Sequence, residues 1–164
     1  MTFFVGIDPG QTGAVAVLTA AGVLEAVVDM PGYGPEPMAM DLKALLDAVA
    51  PRDQLFVALE EPFAVQRASS QSQMTQGIGY GILLGVVGSM GLRHERIRPS
   101  DWKRELHLPM GKQLSHAAKK TNSRVKASQL WPDMAHLWEK TSQDGRAEAA
   151  LIGECLRRRS VGTL

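Results

Sequence analysis

Cysteine is nearly absent, Cys155 being the only one. A lone thiol closes no internal disulfide and builds no thiolate zinc site, which excludes disulfide scaffolds and zinc modules and fits a reducing compartment. Long apolar runs are missing too: no stretch reaches 18 apolar residues, so no membrane-spanning helix is expected. The N-terminus lacks the basic flank and small-residue cleavage site of a secretory signal. The expectation is a cytoplasmic protein, in a bacterium or a phage-infected host, with no membrane partner. The third scarcity is local. Residues 1–92 hold three basic side chains (Lys43, Arg52, Arg67) against nine acidic ones, whereas residues 93–164 hold fifteen against eight. Two solvated faces would leave such a pattern. So would a polyanion lying across one surface while carboxylates gather metal ions at another.

What is present describes an ordinary folded chain. At 164 residues, 45% hydrophobic and 21% charged, it is expected to form a single domain over 1–164 with one sizeable core. The first strand, Phe3 to Asp8, delivers a carboxylate to its end. Pro9-Gly10-Gln11-Thr12-Gly13 turns the chain, and Ala14 to Leu18 returns beside it, a β-hairpin with Asp8 at its mouth. Ala21-Gly22 reads as a second turn and Val23 to Val28 as a third strand. After a breaker-rich loop from Met30 to Pro37, the apolar positions Met38, Leu42, Leu45, Leu46 and Val49 recur at helical spacing, closed by Pro51.

Leu55-Phe56-Val57-Ala58-Leu59 is too short and too uniformly apolar for a helix, so it reads as a buried central strand. It ends on Glu60 and Glu61, then Pro62. Met74 to Met90 is predicted as a core helix whose glycines, Gly77, Gly81, Gly85 and Gly88, form one stripe permitting close backbone approach; it is also a candidate for pairing with a second subunit. No G-x-G-x-x-G spacing occurs, so no dinucleotide fingerprint is present. Arg93 to Pro99 suggests a short strand, and Ser100 is placed to cap the turn that follows. A basic segment with Lys112, His116, Lys119, Lys120, Arg124 and Lys126 runs to Trp131-Pro132 as a helix, read as a phosphate-contacting face. A last helix is expected from about Asp144 through Leu156, with Arg157-Arg158-Arg159 as a tail.

Asp144 and Glu148 stand one helical turn apart on one face, with Cβ atoms about 6 Å apart. Like charges at that spacing oppose each other unless a cation or the helix dipole offsets them; plain alternatives are an N-cap for Asp144 and a surface acid for Glu148. With Asp8 and Glu60 they make a set of oxygen donors with no His or Cys. Such a set suits Mg²⁺ or Mn²⁺ and disfavours zinc. Four carboxylates from two strand ends and a helix can hold two such ions about 4 Å apart, the arrangement that cleaves phosphodiesters. Three antiparallel strands, a crossover helix and a fourth strand follow the order of the ribonuclease H-like fold. The expected class is therefore α/β, a mixed five-stranded sheet flanked by helices.

The sequence also resembles a known family. Gly6-Ile7-Asp8-Pro9-Gly10 is similar to the opening of the RuvC family of Holliday-junction resolvases, and Val57-Ala58-Leu59-Glu60 to its second catalytic strand. Later segments look closer to the phage and chloroplast branch: Gly79-Tyr80-Gly81, Pro99-Ser100-Asp101-Trp102-Lys103, Lys120-Thr121-Asn122-Ser123-Arg124 leading to Trp131-Pro132, and Asp144-Gly145-Arg146-Ala147-Glu148-Ala149. The resemblance implies Asp8, Glu60, Asp144 and Glu148 as metal ligands and Lys120 near the scissile phosphate. It also implies two Mg²⁺ per subunit, with Mn²⁺ as a substitute, a homodimer, and branched DNA cut by symmetric paired nicks. Phe63 falls where bacterial members carry a phenylalanine used at the junction; it either wedges between bases or folds into the core. Arg67, Lys103, Lys112, Lys119, Lys120 and Arg124 are the expected DNA contacts. One departure stands out, since the last two acids of bacterial RuvC are both Asp, three apart, and here they are Asp and Glu, four apart.

Other readings share parts of this pattern. Asp8-Pro9-Gly10-Gln11-Thr12-Gly13 fits the phosphate loop of sugar kinases and actin-like ATPases, but those enclose a nucleotide between two lobes and this chain is too short for both. No nucleotide cofactor is expected. A ribonuclease H acting on RNA–DNA hybrids shares the metal chemistry, and a junction-binding module without catalysis shares the surface.

Overall fold

Residue size alternates along the strands, and that alternation decides the architecture. The computed structural model describes residues 1–10, 12–32, 35–62, 69–110 and 114–162. Strands β1 (Phe3–Asp8), β2 (Ala14–Thr19), β3 (Leu24–Asp29), β4 (Leu55–Glu60) and β5 (Arg93–Ile97) form one sheet in the order β3-β2-β1-β4-β5. The first three pair antiparallel, and β4 and β5 run parallel to β1. Parallel neighbours need crossovers, supplied by α1 (Pro35–Val49) and α2 (Ser70–Ser89). The helices α3 (Pro99–Glu105), α4 (His116–Leu130) and α5 (Asp144–Val161) complete the fold, with 3₁₀ turns at Pro132–Trp138 and Thr141–Gln143 before α5. This is the mixed five-stranded α/β sheet that the sequence predicts.

Successive side chains of a strand point to opposite faces. On one face stand Phe4, Ala14, Ala16, Phe56 and Ala58, packed with Ala147, Ala149, Ala150 and Leu151 of α5 and with Trp102, Trp131 and Trp138. On the other stand Val5, Ile7, Val15, Val17, Val57 and Leu59, packed with Leu42 and Leu46 of α1 and Leu83 and Val87 of α2. Small residues thus meet α5, and branched residues meet α1 and α2. Both edge strands are protected by charge: Glu25 and Asp29 on β3, Arg93 and Arg96 on β5.

Gly6 lies under α5. A Cβ there would overlap the Ala149 carbonyl oxygen and the Gly153 amide and come within 2.9 Å of Gly153 Cα. Helix backbone therefore rests on strand backbone. The start of α5 is held likewise, because a Cβ on Gly145 would overlap the Thr12 carbonyl oxygen and reach 2.9 Å from Gly13 Cα.

Three local expectations change. The glycine helix begins earlier than predicted, at Ser70, with the Ser69 hydroxyl accepting from the Ser72 amide. Only Leu83 and Val87 within it are buried, and a Cβ at Gly77, Gly79, Gly81, Gly85 or Gly88 would meet nothing within 4 Å. The stripe faces outward, so no close approach among the described residues explains it. Ser100 does not cap α3, since Arg98 takes the cap position and Pro99 the first turn, where its missing N–H costs nothing. The arginine tail is part of α5. Arg157 and Arg158 pair with Glu154, and Arg159 with Glu95 and Glu105, a network that uses their charge inside the fold.

Candidate functional site

Strand alternation places two acids where α5 can meet them. Asp8 and Glu60 share the face of Gly6 and Ala58, and each lies one residue past the Ile7–Leu59 pair of the β1–β4 ladder. Because β1 and β4 are parallel, both carboxylates reach the same sheet end. The Gly10 amide donates to Asp8 Oδ1 at 3.2 Å. The turn closes behind it, the Gly13 amide donating to the Gly10 carbonyl at 2.8 Å. From α5, Asp144 and Glu148 project toward the same end. Asp144 is buried and is the first helical residue, not the cap, which is Gln143.

The acids feel one another. Burial, and then the charge of Glu148, push the Asp8 carboxyl up to about 7; the Gly10 amide pulls the other way, Asp144 raises it further, and Lys103 lowers it. Glu60 is pushed up to about 8, again by burial first and then by Asp8 and Glu148, against the Trp102 hydrogen bond and Lys103. Desolvation disfavours the charged form, and each neighbouring carboxylate adds repulsion. The cluster is short of positive charge at neutral pH.

Two lysines supply part of it. Lys120 Nζ lies 2.6 Å from Asp144 Oδ2, and Lys103 Nζ lies 3.2 Å from Glu148 Oε1. That Glu148 oxygen also accepts from the buried Ser123 hydroxyl at 2.9 Å. The indole of Trp102 donates to Glu60 Oε2 at 2.5 Å. Arg146, between the two α5 acids, grips Asp29 of β3 through two 2.6 Å bonds and the Leu137 carbonyl at 3.1 Å. It fixes the helix start against the sheet edge.

The sequence-predicted residues thus divide. Asp8, Glu60, Asp144, Glu148 and Lys120 converge, and Lys103, expected only as a DNA contact, joins them inside the site. Lys119 is exposed on α4 beside them. Arg124 is half-buried, donating to the Glu139 carbonyl at 2.8 Å and to Thr121 Oγ1 at 3.4 Å. Phe63, Arg67 and Lys112 lie outside the described residues. Sequence reasoning missed Trp102 and Ser123 as site residues, although both stand within motifs already singled out. The missing signal was strand and helix register, which sequence alone does not supply.

The donor set is oxygen only, the chemistry of Mg²⁺ or Mn²⁺, and its mutual repulsion is what a bound cation relieves. Among the described residues, no three His, Cys, Asp or Glu side chains are arranged around one ion in this conformation. Lys120 and Lys103 stand on Asp144 and Glu148, so occupation by a cation requires these ammonium groups to turn away.

The mixed five-stranded sheet in the order β3-β2-β1-β4-β5, flanked by helices, is an α/β fold shared with solved structures. Its fold is that of solved RuvC structures. A Thermus thermophilus RuvC structure in complex with a Holliday junction substrate is 20% identical, with a TM-score of 0.66 over 99% of this chain and 98% of that one. A second T. thermophilus RuvC structure is 19% identical, with a TM-score of 0.60 over the same shares. No family model matches the sequence, and no curated protein matches it. Among the described residues, no helix is long and apolar enough to cross a membrane.

Proposed function

We propose that the protein is a metal-dependent endonuclease that resolves four-way DNA junctions. The observation that carries this reading is the convergence of Asp8, Glu60, Asp144 and Glu148 from β1, β4 and α5 at one sheet end, with Lys103 of α3 on Glu148 and Lys120 of α4 on Asp144. The RuvC neighbour bound to a Holliday junction substrate supports the choice of branched DNA over other phosphodiesters.

In this reading Asp8, Glu60, Asp144 and Glu148 hold two Mg²⁺ ions. Bound there, the ions supply Lewis-acid activation of water and stabilisation of the leaving oxygen. With cations held there, Lys120 and Lys103 would be free of Asp144 and Glu148, and their ammonium groups would be available to the phosphate being cut. Lys119 and the basic face of α4 hold the flanking backbone by charge. Ser123 and Arg146 keep α5 in register so that the two helical acids face Asp8.

A two-fold junction cut symmetrically needs two sites related by a two-fold axis, and α2 offers the surface. Met74 is 62% exposed and Ile78 45% exposed, beside glycines with open space above them. A second copy of α2 laid there buries apolar side chains and brings backbones close. A monomeric mass that persists with junction bound overturns the dimer.

The test is a substrate panel of synthetic four-way junction, flap, RNA–DNA hybrid and plain duplex with Mg²⁺. Paired nicks confined to the junction are expected. Asp8→Asn is expected to lower the rate more than about 100-fold, beyond the usual cost of losing an outer-shell partner of a metal site. Absence of nicking, or equal nicking by Asp8→Asn, sinks the reading; preference for the hybrid moves the substrate to ribonuclease H chemistry.

A further inference from the structure

Two consecutive residues of α3 reach two acids that come from different elements. Trp102 has no exposed surface, and its indole N–H is spent on Glu60 Oε2 of β4 at 2.5 Å. Lys103 lies with Nζ 4.8 Å from the centroid of that same indole and 3.2 Å from Glu148 Oε1 of α5. A buried indole N–H takes whatever acceptor its packing allows. Here the acceptor is a carboxyl oxygen of Glu60, beside Asp8 and Glu148, and at 2.5 Å the bond is short. The other two tryptophans differ: Trp131 donates to the Gly22 carbonyl at 3.0 Å and Trp138 to the Ser128 hydroxyl at 2.9 Å. Only Trp102 couples the core to the acidic rim.

We propose that Trp102 is a positioning residue for the metal centre. Its rigid indole, fixed among Leu106, Ile97 and the α5 side chains of the same core, holds Oε2 of Glu60 and so orients Oε1 for a cation. Lys103, braced on the indole ring, keeps Glu148 apart from Glu60 until a cation replaces it. Outer partners of this kind orient ligands that would otherwise rotate. The inference rests on the reading of Glu60 and Glu148 as metal ligands, but its test does not depend on DNA cleavage.

The experiment follows the three indole N–H resonances of the ¹⁵N-labelled full chain by NMR. Glu60→Gln replaces the carboxyl acceptor by an amide, so the Trp102 resonance is expected to shift while those of Trp131 and Trp138 stay. Mg²⁺ alone, added to the wild-type protein, is expected to shift the Trp102 resonance saturably. Trp102→Phe keeps an aromatic ring and removes the donor; calorimetry is expected to show Mg²⁺ bound about 10- to 100-fold more weakly, with junction kcat reduced and KM unchanged. A Trp102 resonance indifferent to Glu60→Gln, or a folded Trp102→Phe variant with wild-type Mg²⁺ affinity, overturns the proposal. If Trp102→Phe does not fold, the Glu60→Gln spectrum decides alone. Responses as expected in a protein that cuts no junction leave the positioning role intact and remove the resolvase reading.

Discussion

The two faces of the sheet are built on opposite principles. Under α5, Gly6, Ala14, Ala16 and Ala58 meet Ala147, Ala149, Ala150 and Gly153, and backbone touches backbone. Under α1 and α2, Val, Ile and Leu meet Leu and Val, and side chains set the spacing. Side-chain packing yields to repacking, whereas backbone contact does not. The metal-ligand candidates all stand on the first face. Positional accuracy is thus concentrated on the face where the four carboxylates converge, and tolerance lies on the face packed by α1 and α2.

The largest effect that tests this is Gly6→Ala. A single methyl there meets the Ala149 carbonyl and the Gly153 amide, neither of which can move without moving α5. The expected loss is about 3 kcal/mol of unfolding free energy, read by denaturant titration, with Mg²⁺ affinity falling in whatever remains folded. A stability close to wild type would show that α5 floats, and the contrast between faces would collapse.

Next comes Glu154, buried on α5. Burial raises its pKa, but hydrogen bonds from Arg157 and Arg158 outweigh burial and leave it lowered. A carboxyl depressed in the folded state contributes stability above its unfolded pKa of about 4.3 and loses it as pH falls through the folded value. Glu154→Gln is expected to cost about 1–2 kcal/mol at pH 7. Thermal melts across pH should show that gap steady above about pH 5 and closing below about pH 4. A gap that widens on acidification would contradict the sign.

The smallest effect is on the permissive face. Gly85 lies in mid-helix with open space where a Cβ would stand, so Gly85→Ala should stabilise the monomer by up to about 1 kcal/mol through helix propensity. Sedimentation of the same variant sharpens the contrast: if α2 packs against a second α2, association weakens while the protomer gains stability. Loss of protomer stability would mean α2 is held as tightly as α5.

Much of the site was legible in the sequence because strand ends and helical spacing are local. Asp8 behind its hairpin, Glu60 after a short apolar strand, and Asp144 and Glu148 one turn apart each follow from a few neighbouring residues. Trp102 was not legible as a partner of Glu60. That bond joins residues 42 apart, and only the parallel β4–β5 ladder and the α3 turn set their distance. The outward direction of the α2 glycine stripe was not legible for a related reason. Helical period says which residues share a face, but not whether that face meets protein or solvent. The arginines of α5 look like a solvated tail until Glu95, Glu105 and Glu154 are brought to them by the fold.

The backbone contact between Gly6 and α5 has a consequence for the order of events during synthesis. The first strand of the chain and its last helix must close on each other before Asp8 faces Asp144 and Glu148. Such distant pairing forms slowly, because loop-closure entropy is paid before the contacts return it. A nascent chain adds residues from the N-terminus at about 5–20 per second. During that interval Asp8 and Glu60 have been made and the last two acids have not. The arrangement of the four acids is therefore complete only once the last helix has docked.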